Sequence, residues 1–302
     1  MSDELAGRIG RLKRERKAVI LVHNYQNPEI QDLADFAGDS LGLSRQAAAT
    51  EAEVIVFCGV HFMAQTAKLL SPQKTVLLPD MEAGCPMADM IAPQQVRELR
   101  SRHPSAVAVA YVNTTAEVKA EVDVCCTSAN AVKVVEAVGR EAEEVIFVPD
   151  KNLAHWVAQQ TKVRIIAHKG FCPTHVWITA EAVGKKREEH PDALFMCHPE
   201  CEPGVVDLAD EVLSTSGMLK FARETDAREI IVGTEIGLLY PLRKDSPDKT
   251  FIGFPEAVCP NMKRTTLEKV AQALETLTPR IEIEEAIASR ARASVERMVQ
   301  YV

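Results

Sequence analysis

The sequence predicts an α/β protein of three similar three-layer αβα units, each built on a parallel sheet and arranged around a pseudo-threefold axis. Three observations lead there. Short apolar, β-branched runs alternate with longer stretches of helical periodicity. The runs are hydrophobic throughout rather than alternating, as in strands buried on both faces. A set of chemically unusual residues recurs every 87 or 88 positions along the 302-residue chain.

The strand-like runs are "AVILV" (18–22), "VIVFCGV" (54–60), "TVLLP" (75–79), "AVAVAYV" (106–112), "EVIFVP" (144–149), "VRIIA" (163–167), "ALFMC" (193–197), "EIIVG" (229–233) and "TFIGF" (250–254). All nine read as buried strands. Between them, 29–51 and 129–141 read as helical. Ile283, Ile287, Ala291, Val295 and Met298 form one stripe and predict a terminal amphipathic helix. The units divide at 1–104, 105–191 and 192–279, with the helix of 280–302 packing back on the first.

Composition narrows the function. With 46% hydrophobic and 26% charged residues the chain is globular, and its length can bury a large core. A net charge of -8 argues against a nucleic-acid binder, whose footprint should be basic. Only about six apolar residues follow the basic stretch near the N-terminus, too few for a signal sequence. No run approaches the roughly 18 apolar residues of a membrane span. The expectation is a cytosolic protein, in which eight cysteines are thiols or metal ligands rather than disulfides.

Four rows make up the repeat. Cys-Pro occurs at 85–86, 172–173 and 259–260. Strand ends carry His23 and Tyr25, Tyr111 and Asn113, and His198 and Glu200. Ser40, Ser128 and Thr215 form the row between. Taken singly, each has a bland explanation. A cysteine is most often a small buried hydrophobe, and Cys58, Cys125, Cys126 and Cys197 are read that way. Ser40, Ser128 and Thr215 suit helix N-caps, and a lone histidine or tyrosine usually packs. The regular spacing changes that balance.

In open parallel sheets, ligands bind beyond the carboxyl ends of the strands, where the His/Tyr/Glu row falls. Cysteine before a helix-starting proline favours thiolate through free N–H groups and the helix dipole. If the units close into a ring, Cys85, Cys172 and Cys259 meet. Zinc is one occupant of such a site, although structural zinc usually takes close ligand pairs and fills four positions. Three thiolates from distant segments suit an iron-sulfur cluster with one open iron, a Lewis acid that can promote loss of water. His175 stands in a C-x-x-H pattern, but Ala88 and Met262 hold the equivalent places, which favours substrate contact over ligation.

"HNYQ" (23–26), "DLADFAGDSLGLSRQAA" (32–48), "GVHFMAQTAKLL" (59–70), "LLPDMEAGCPMADM" (77–90), "YVNTTAEVKAEVDVCCTSANA" (111–131), "CPTHVW" (172–177), "HPEC" (198–201), "TSG" (215–217), "GTEIGLLYPL" (233–242) and "CPNMK" (259–263) together resemble the quinolinate synthase family of NAD biosynthesis. The resemblance runs from about residue 18 to the C-terminal helix. It implies a 4Fe-4S cluster on Cys85, Cys172 and Cys259. It also implies condensation of iminoaspartate with dihydroxyacetone phosphate, releasing phosphate and two waters, and an aspartate-oxidising enzyme as the source of iminoaspartate. His23, Tyr25, Ser40, Tyr111, Asn113, Ser128, His175, His198, Glu200 and Thr215 would then line the substrate pocket.

Physical roles follow from residue type. Glu200, desolvated and so raised in pKa, is the expected general base, with Tyr25, His23 and His198 as proton relays. Ser40, Ser128, Asn113 and Thr215 would hold carboxylates and phosphate, and Lys263 could add a positive charge. Two rivals remain: a diphthamide-type enzyme that cleaves S-adenosylmethionine, and a noncatalytic iron-sulfur sensor. The first needs a large protein substrate, and the second a basic tail or binding surface.

Overall fold

The computed structural model describes residues 2–301. The first unit runs α1 (Ser2–Glu15), β1 (Ala18–His23), α2 (Pro28–Gln31), β2 (Phe36–Gly38), α3 (Ser40–Ala49), β3 (Val54–Cys58), α4 (His61–Leu70) and β4 (Thr75–Leu77). The second repeats it with α5 (Pro93–Arg102), β5 (Val107–Tyr111), α6 (Ala116–Lys119), β6 (Val124–Cys126), α7 (Ala131–Val138), β7 (Glu144–Val148), α8 (Lys151–Gln160) and β8 (Arg164–Ala167). A single-turn helix, α9 (Pro173–Val176), precedes the third. That unit is α10 (Ala180–Glu189), β9 (Leu194–Cys197), α11 (Pro203–Val206), β10 (Glu211–Val212), α12 (Thr215–Glu224), β11 (Glu229–Gly233), α13 (Leu239–Asp245) and β12 (Thr250–Ile252). Helices α14 (Leu267–Thr276) and α15 (Glu285–Gln300) close the chain.

Each sheet has four strands, all parallel, in the order second, first, third, fourth. The connection reverses direction between the first and third strands, so each unit has its switch point beyond β1, β5 or β9. The residues read as site candidates at 23–25, 111–113 and 198–200 emerge there. The central strands are apolar on both sides because helices cover both faces: β3 and β7 are buried almost throughout.

The repeat extends to the scaffold. Asp35, Asp123 and Asp210 each sit just before an edge strand. Each accepts a hydrogen bond from a first-strand N–H, that of Ile20, Ala108 or Phe195, at 2.7–2.8 Å. The same carboxylates pair with Lys13, Arg100 and Arg187 from the preceding helix at 2.6–2.7 Å. Both rows recur every 87 or 88 residues.

Three strands went unrecognised in the sequence. β2, β6 and β10 have only two or three residues and lie at sheet edges. The helix read over 29–51 is instead α2, β2 and α3. Asp35 turns back to bond β1, and Asp39 starts a new helix by accepting the Gly42 N–H. β8, read as buried, is an edge strand with Arg164 and Ala167 exposed.

The C-terminal segments tie the units together. α14 lies in the stretch read as the third unit, but it packs on α1 and β3. Its Leu267, Val270 and Leu274 join Ile20, Val22 and Val54 in one apolar cluster. Ile281 N–H then bonds the Val76 carbonyl at the edge of the first sheet. α15 lies against α3 and α4 on one side and α6 and β6 on the other. Ala291, Val295 and Met298 are buried in that seam, while Ile283 precedes the helix. No described helix is long and apolar enough to cross a membrane.

Candidate active site

One cavity gathers residues from all three units. Cys85, Cys172 and Cys259 line it together with His23, Tyr25, Ser40, Tyr111, Asn113, Ser128, His175, His198, Glu200 and Thr215. Every residue that the repeat or the resemblance singled out for the site therefore meets there. Val60, Phe62, Met63, Met87 and Met262 complete the wall with apolar surface.

Chain geometry puts them there. His23 ends β1 and His198 directly follows the equivalent strand β9, and each ring Nδ1 accepts the N–H two residues on, Tyr25 N at 3.2 Å and Glu200 N at 3.3 Å. That fixes Nε2 of each ring as the protonated nitrogen. His198 Nε2 donates to Ser128 Oγ at 3.1 Å. Burial pushes both imidazoles down to about 3, so both are neutral at physiological pH. Ser40 and Thr215 are the first residues of α3 and α12, but the capping bonds are made by Asp39 and Ser214. That leaves the row hydroxyls to the cavity rather than to N-capping. Thr215 Oγ1 accepts from Asn24 Nδ2 at 3.2 Å, linking the first and third units.

Glu200 is the electrostatic centre. Tyr111 donates to one carboxylate oxygen, and His175 Nδ1 donates to the other at 2.8 Å. Burial alone would raise its pKa, but His175 and His198 beside it and the hydrogen bonds from His175 and Tyr111 outweigh that. The carboxyl is held well below the ordinary range. The expectation of a raised pKa is thus overturned: the sequence showed the burial but not the donors. Tyr111 and Tyr25 are pushed the other way, first by burial and then by the Glu200 charge, and stay protonated.

A hydrogen-bonded chain ends on this carboxylate. While Nδ1 of His175 faces Glu200, its Nε2 is hydrogen-bonded to Thr234 Oγ1 at 2.8 Å. Tyr25 Oη in turn lies 2.6 Å from Thr234 Oγ1. Tyr25, Thr234, His175 and Glu200 therefore form a continuous path between two sides of the cavity. His175 also stacks on His198, with ring centroids 4.7 Å apart.

The three cysteines differ from expectation in one respect. Cys172 N-caps the short α9, with Pro173 at its first position, whereas Cys85 and Cys259 precede turns. Without a full helix dipole, burial dominates. It pushes the Cys85 thiol up to about 12 and raises Cys172 and Cys259, against N–H groups of Ala88, His175 and Met262 that donate to the sulfurs. All three are free thiols. Thiolates in such a place need a bound cation to offset desolvation, which makes the donor set suited to a metal centre. The ligand atoms of Cys172, His175 and Glu200 also lie within 4.8 Å of one another.

Some contributors were missed. Glu235, fully buried, accepts the Cys259 N–H at 3.1 Å, and Asp150 N-caps α8 at the matching place in the second unit. Thr234, in the path from Tyr25 to His175, carries no repeat of its own. All three follow β7 or β11, each the third strand of its sheet, whereas the repeated polar row marks the ends of the first strands. Lys263, read as a charge for substrate, pairs with Glu235 at 2.9 Å and bonds the Tyr25 carbonyl. Gly237 permits that junction, since a Cβ there would stand 2.8 Å from Tyr25 O, Glu235 Oε2 and Lys263 Nζ. Cys201 is fully buried against the Gly233 carbonyl and is structural.

Three parallel-sheet units sharing one cavity, with three cysteine thiols and a carboxylate held by phenol and imidazole along its wall, have the form of an enzyme active site. The family model described as quinolinate synthetase A protein matches residues 7–300, and the chain belongs to that family. It is 52% identical to a quinolinate synthase of Geobacter metallireducens over 299 residues, covering 99% of this chain and 98% of the relative. It is 54% identical over 299 residues to one of Dehalococcoides mccartyi, with the same coverage, and 53% over 300 residues to one of Desulforudis audaxviator, covering 99% of both.

Proposed function

We propose that the chain condenses iminoaspartate with dihydroxyacetone phosphate to give quinolinate, phosphate and water, and that Cys85, Cys172 and Cys259 hold a 4Fe-4S cluster. The observation that supports this most is the sharing of one cavity by three free, half-buried thiols, one from each unit or its following segment. When bound, the cluster supplies an open iron that acts as a Lewis acid in the loss of water.

The protein's own groups divide the remaining work. Glu200 is ionised and takes a proton from a carbon or oxygen acid presented to it. Tyr111 and His175 fix its orientation, and the Tyr25–Thr234–His175 path carries protons to or from it. His23 and His198, locked as Nε2–H donors, serve as neutral hydrogen-bond donors rather than as two-ended relays. Ser40, Ser128, Asn113 and Thr215 offer neutral polar groups to carboxylate and phosphate oxygens. The apolar wall excludes water from a reactive imine. The substrates are small molecules, with iminoaspartate supplied by an aspartate-oxidising enzyme.

A second reading is favoured by the Cys172–His175–Glu200 trio, which could take a single zinc ion. Anaerobic purification, metal and sulfide analysis, and assay with freshly generated iminoaspartate and dihydroxyacetone phosphate separate the two. Iron and sulfide with quinolinate formation supports the first reading. Stoichiometric zinc without sulfide would replace it with the second. A cluster that cleaves S-adenosylmethionine and makes no quinolinate would move the chain to the diphthamide-type chemistry.

A further inference from the structure

The first strands of units one and two each lead into a loop whose second residue lines the cavity, Tyr25 in one and Asn113 in the other. The two loops are held in the same way. Gln31, at the end of α2, donates from Nε2 to the carbonyls of Asn24 and Gln26 at 3.1 and 2.8 Å, one on either side of Tyr25. Eighty-eight residues on, at the end of α6, stands Lys119. Its Nζ donates to the carbonyls of Val112, at 2.8 Å, and Thr114, one on either side of Asn113. In the third unit the equivalent residue is Val206, and the loop is tied instead by Asn152 Nδ2, donating to the Glu200 carbonyl at 3.0 Å.

Lys119 is 0% exposed. A buried ammonium is strongly penalised unless its donors are met. Here they go to two carbonyls and, at 3.5 Å, to the Thr114 hydroxyl, not to a carboxylate among the described residues. The Phe62 ring lies 5.5 Å from Nζ. Val206 shows that an apolar side chain can occupy the equivalent place. Asn113 Oδ1 is buried and accepts no hydrogen bond from the described residues, as suits an amide whose donor comes from a ligand.

We infer that Lys119 is a positioning residue for Asn113: by clamping the carbonyls on either side, it aims the Asn113 amide into the cavity, as Gln31 aims Tyr25. The inference rests on the reading of Asn113 as a substrate contact in the proposed reaction. The amine itself touches no substrate, so its effect must pass through Asn113.

The test is a double-mutant cycle on the iron-loaded full chain, measuring quinolinate formation, iron content and melting temperature for N113A, K119M, K119Q and N113A/K119M. The expected result is a fall in kcat/KM of about ten-fold or more for K119M, since displacement by about 1 Å can cost up to about 100-fold, with iron content unchanged. K119Q recovers most of the rate, because an amide makes the same two bonds in unit one. The double variant is no slower than N113A alone. If K119M does not accumulate as folded protein, K119V, the side chain at the equivalent place in unit three, replaces it in the cycle. Equal slowing of wild type and N113A by the Lys119 substitution, or no slowing of wild type, would overturn the inference alone. Full activity in N113A would remove the reading of Asn113, and the inference with it.

Discussion

The outer frame and the inner wall of this molecule treat the same repeat in opposite ways. Outside, Asp35, Asp123 and Asp210 make one bond three times, each to a first-strand N–H and a base on the preceding helix. Inside, equivalent positions carry different chemistry: Tyr25, Asn113 and Glu200 at one level, His23, Tyr111 and His198 at another. The backbone geometry is still shared, since His23 and His198 accept the same i+2 N–H. Repetition builds the frame, and substitution within fixed geometry builds an asymmetric site able to hold an asymmetric substrate.

If that division is right, inner substitutions should move activity more than stability, and outer ones the reverse. Glu200→Gln should lower quinolinate formation about 10³-fold while iron content stays, because the three thiols are untouched and the amide oxygen still accepts from one of Tyr111 and His175. An equal loss of iron would break the comparison by making Glu200 part of the frame.

Acid should strike the inner wall next. His23 and His198 are held neutral, with pKa values about 3 in place of the usual 6.5. The unfolded chain therefore binds more protons, and stability is full above pH 6.5 and lost as pH falls toward 3. Between pH 7 and 5 each imidazole should contribute a loss of about 2 kcal/mol. Denaturant titration should show a shallower pH dependence in His23→Gln than in wild type. An unchanged slope would mean that the ring is charged or exposed.

The smallest effect should come from the outside. Asp123→Asn removes a half-exposed pair with Arg100 and weakens the acceptor for Ala108 N–H, costing about 1 kcal/mol. The melting temperature should drop by a few degrees, with kcat/KM unchanged. A change in activity instead would show that the frame sets the site more tightly than its distance suggests.

Much of this was legible in the sequence because the signals were either long or repeated. Continuous apolar runs such as 144–148 needed no context to be read as strands, and three Cys-Pro steps at equal spacing pointed to a shared centre. Edge strands such as Glu211–Val212 are too short for any period to register. The depressed carboxyl of Glu200 depends on donors from residues 111 and 175, far away in the chain. Lys119, Asp150 and Glu235 act through backbone carbonyls and N–H groups, which no side-chain motif encodes. The two Asp/base rows could have been found by searching charged residues at the same spacing.

The central claim is that sulfur atoms from Cys85, Cys172 and Cys259 share one metal centre. Iron and sulfide per chain, measured after anaerobic purification of wild type, the three single alanine variants and Cys126→Ala, tests it most directly. The account predicts that each of C85A, C172A and C259A loses the bound iron and its visible absorbance, and that Cys126→Ala, in the core beside α15, keeps both. Full iron in any one of the three, or its loss in Cys126→Ala, would contradict it.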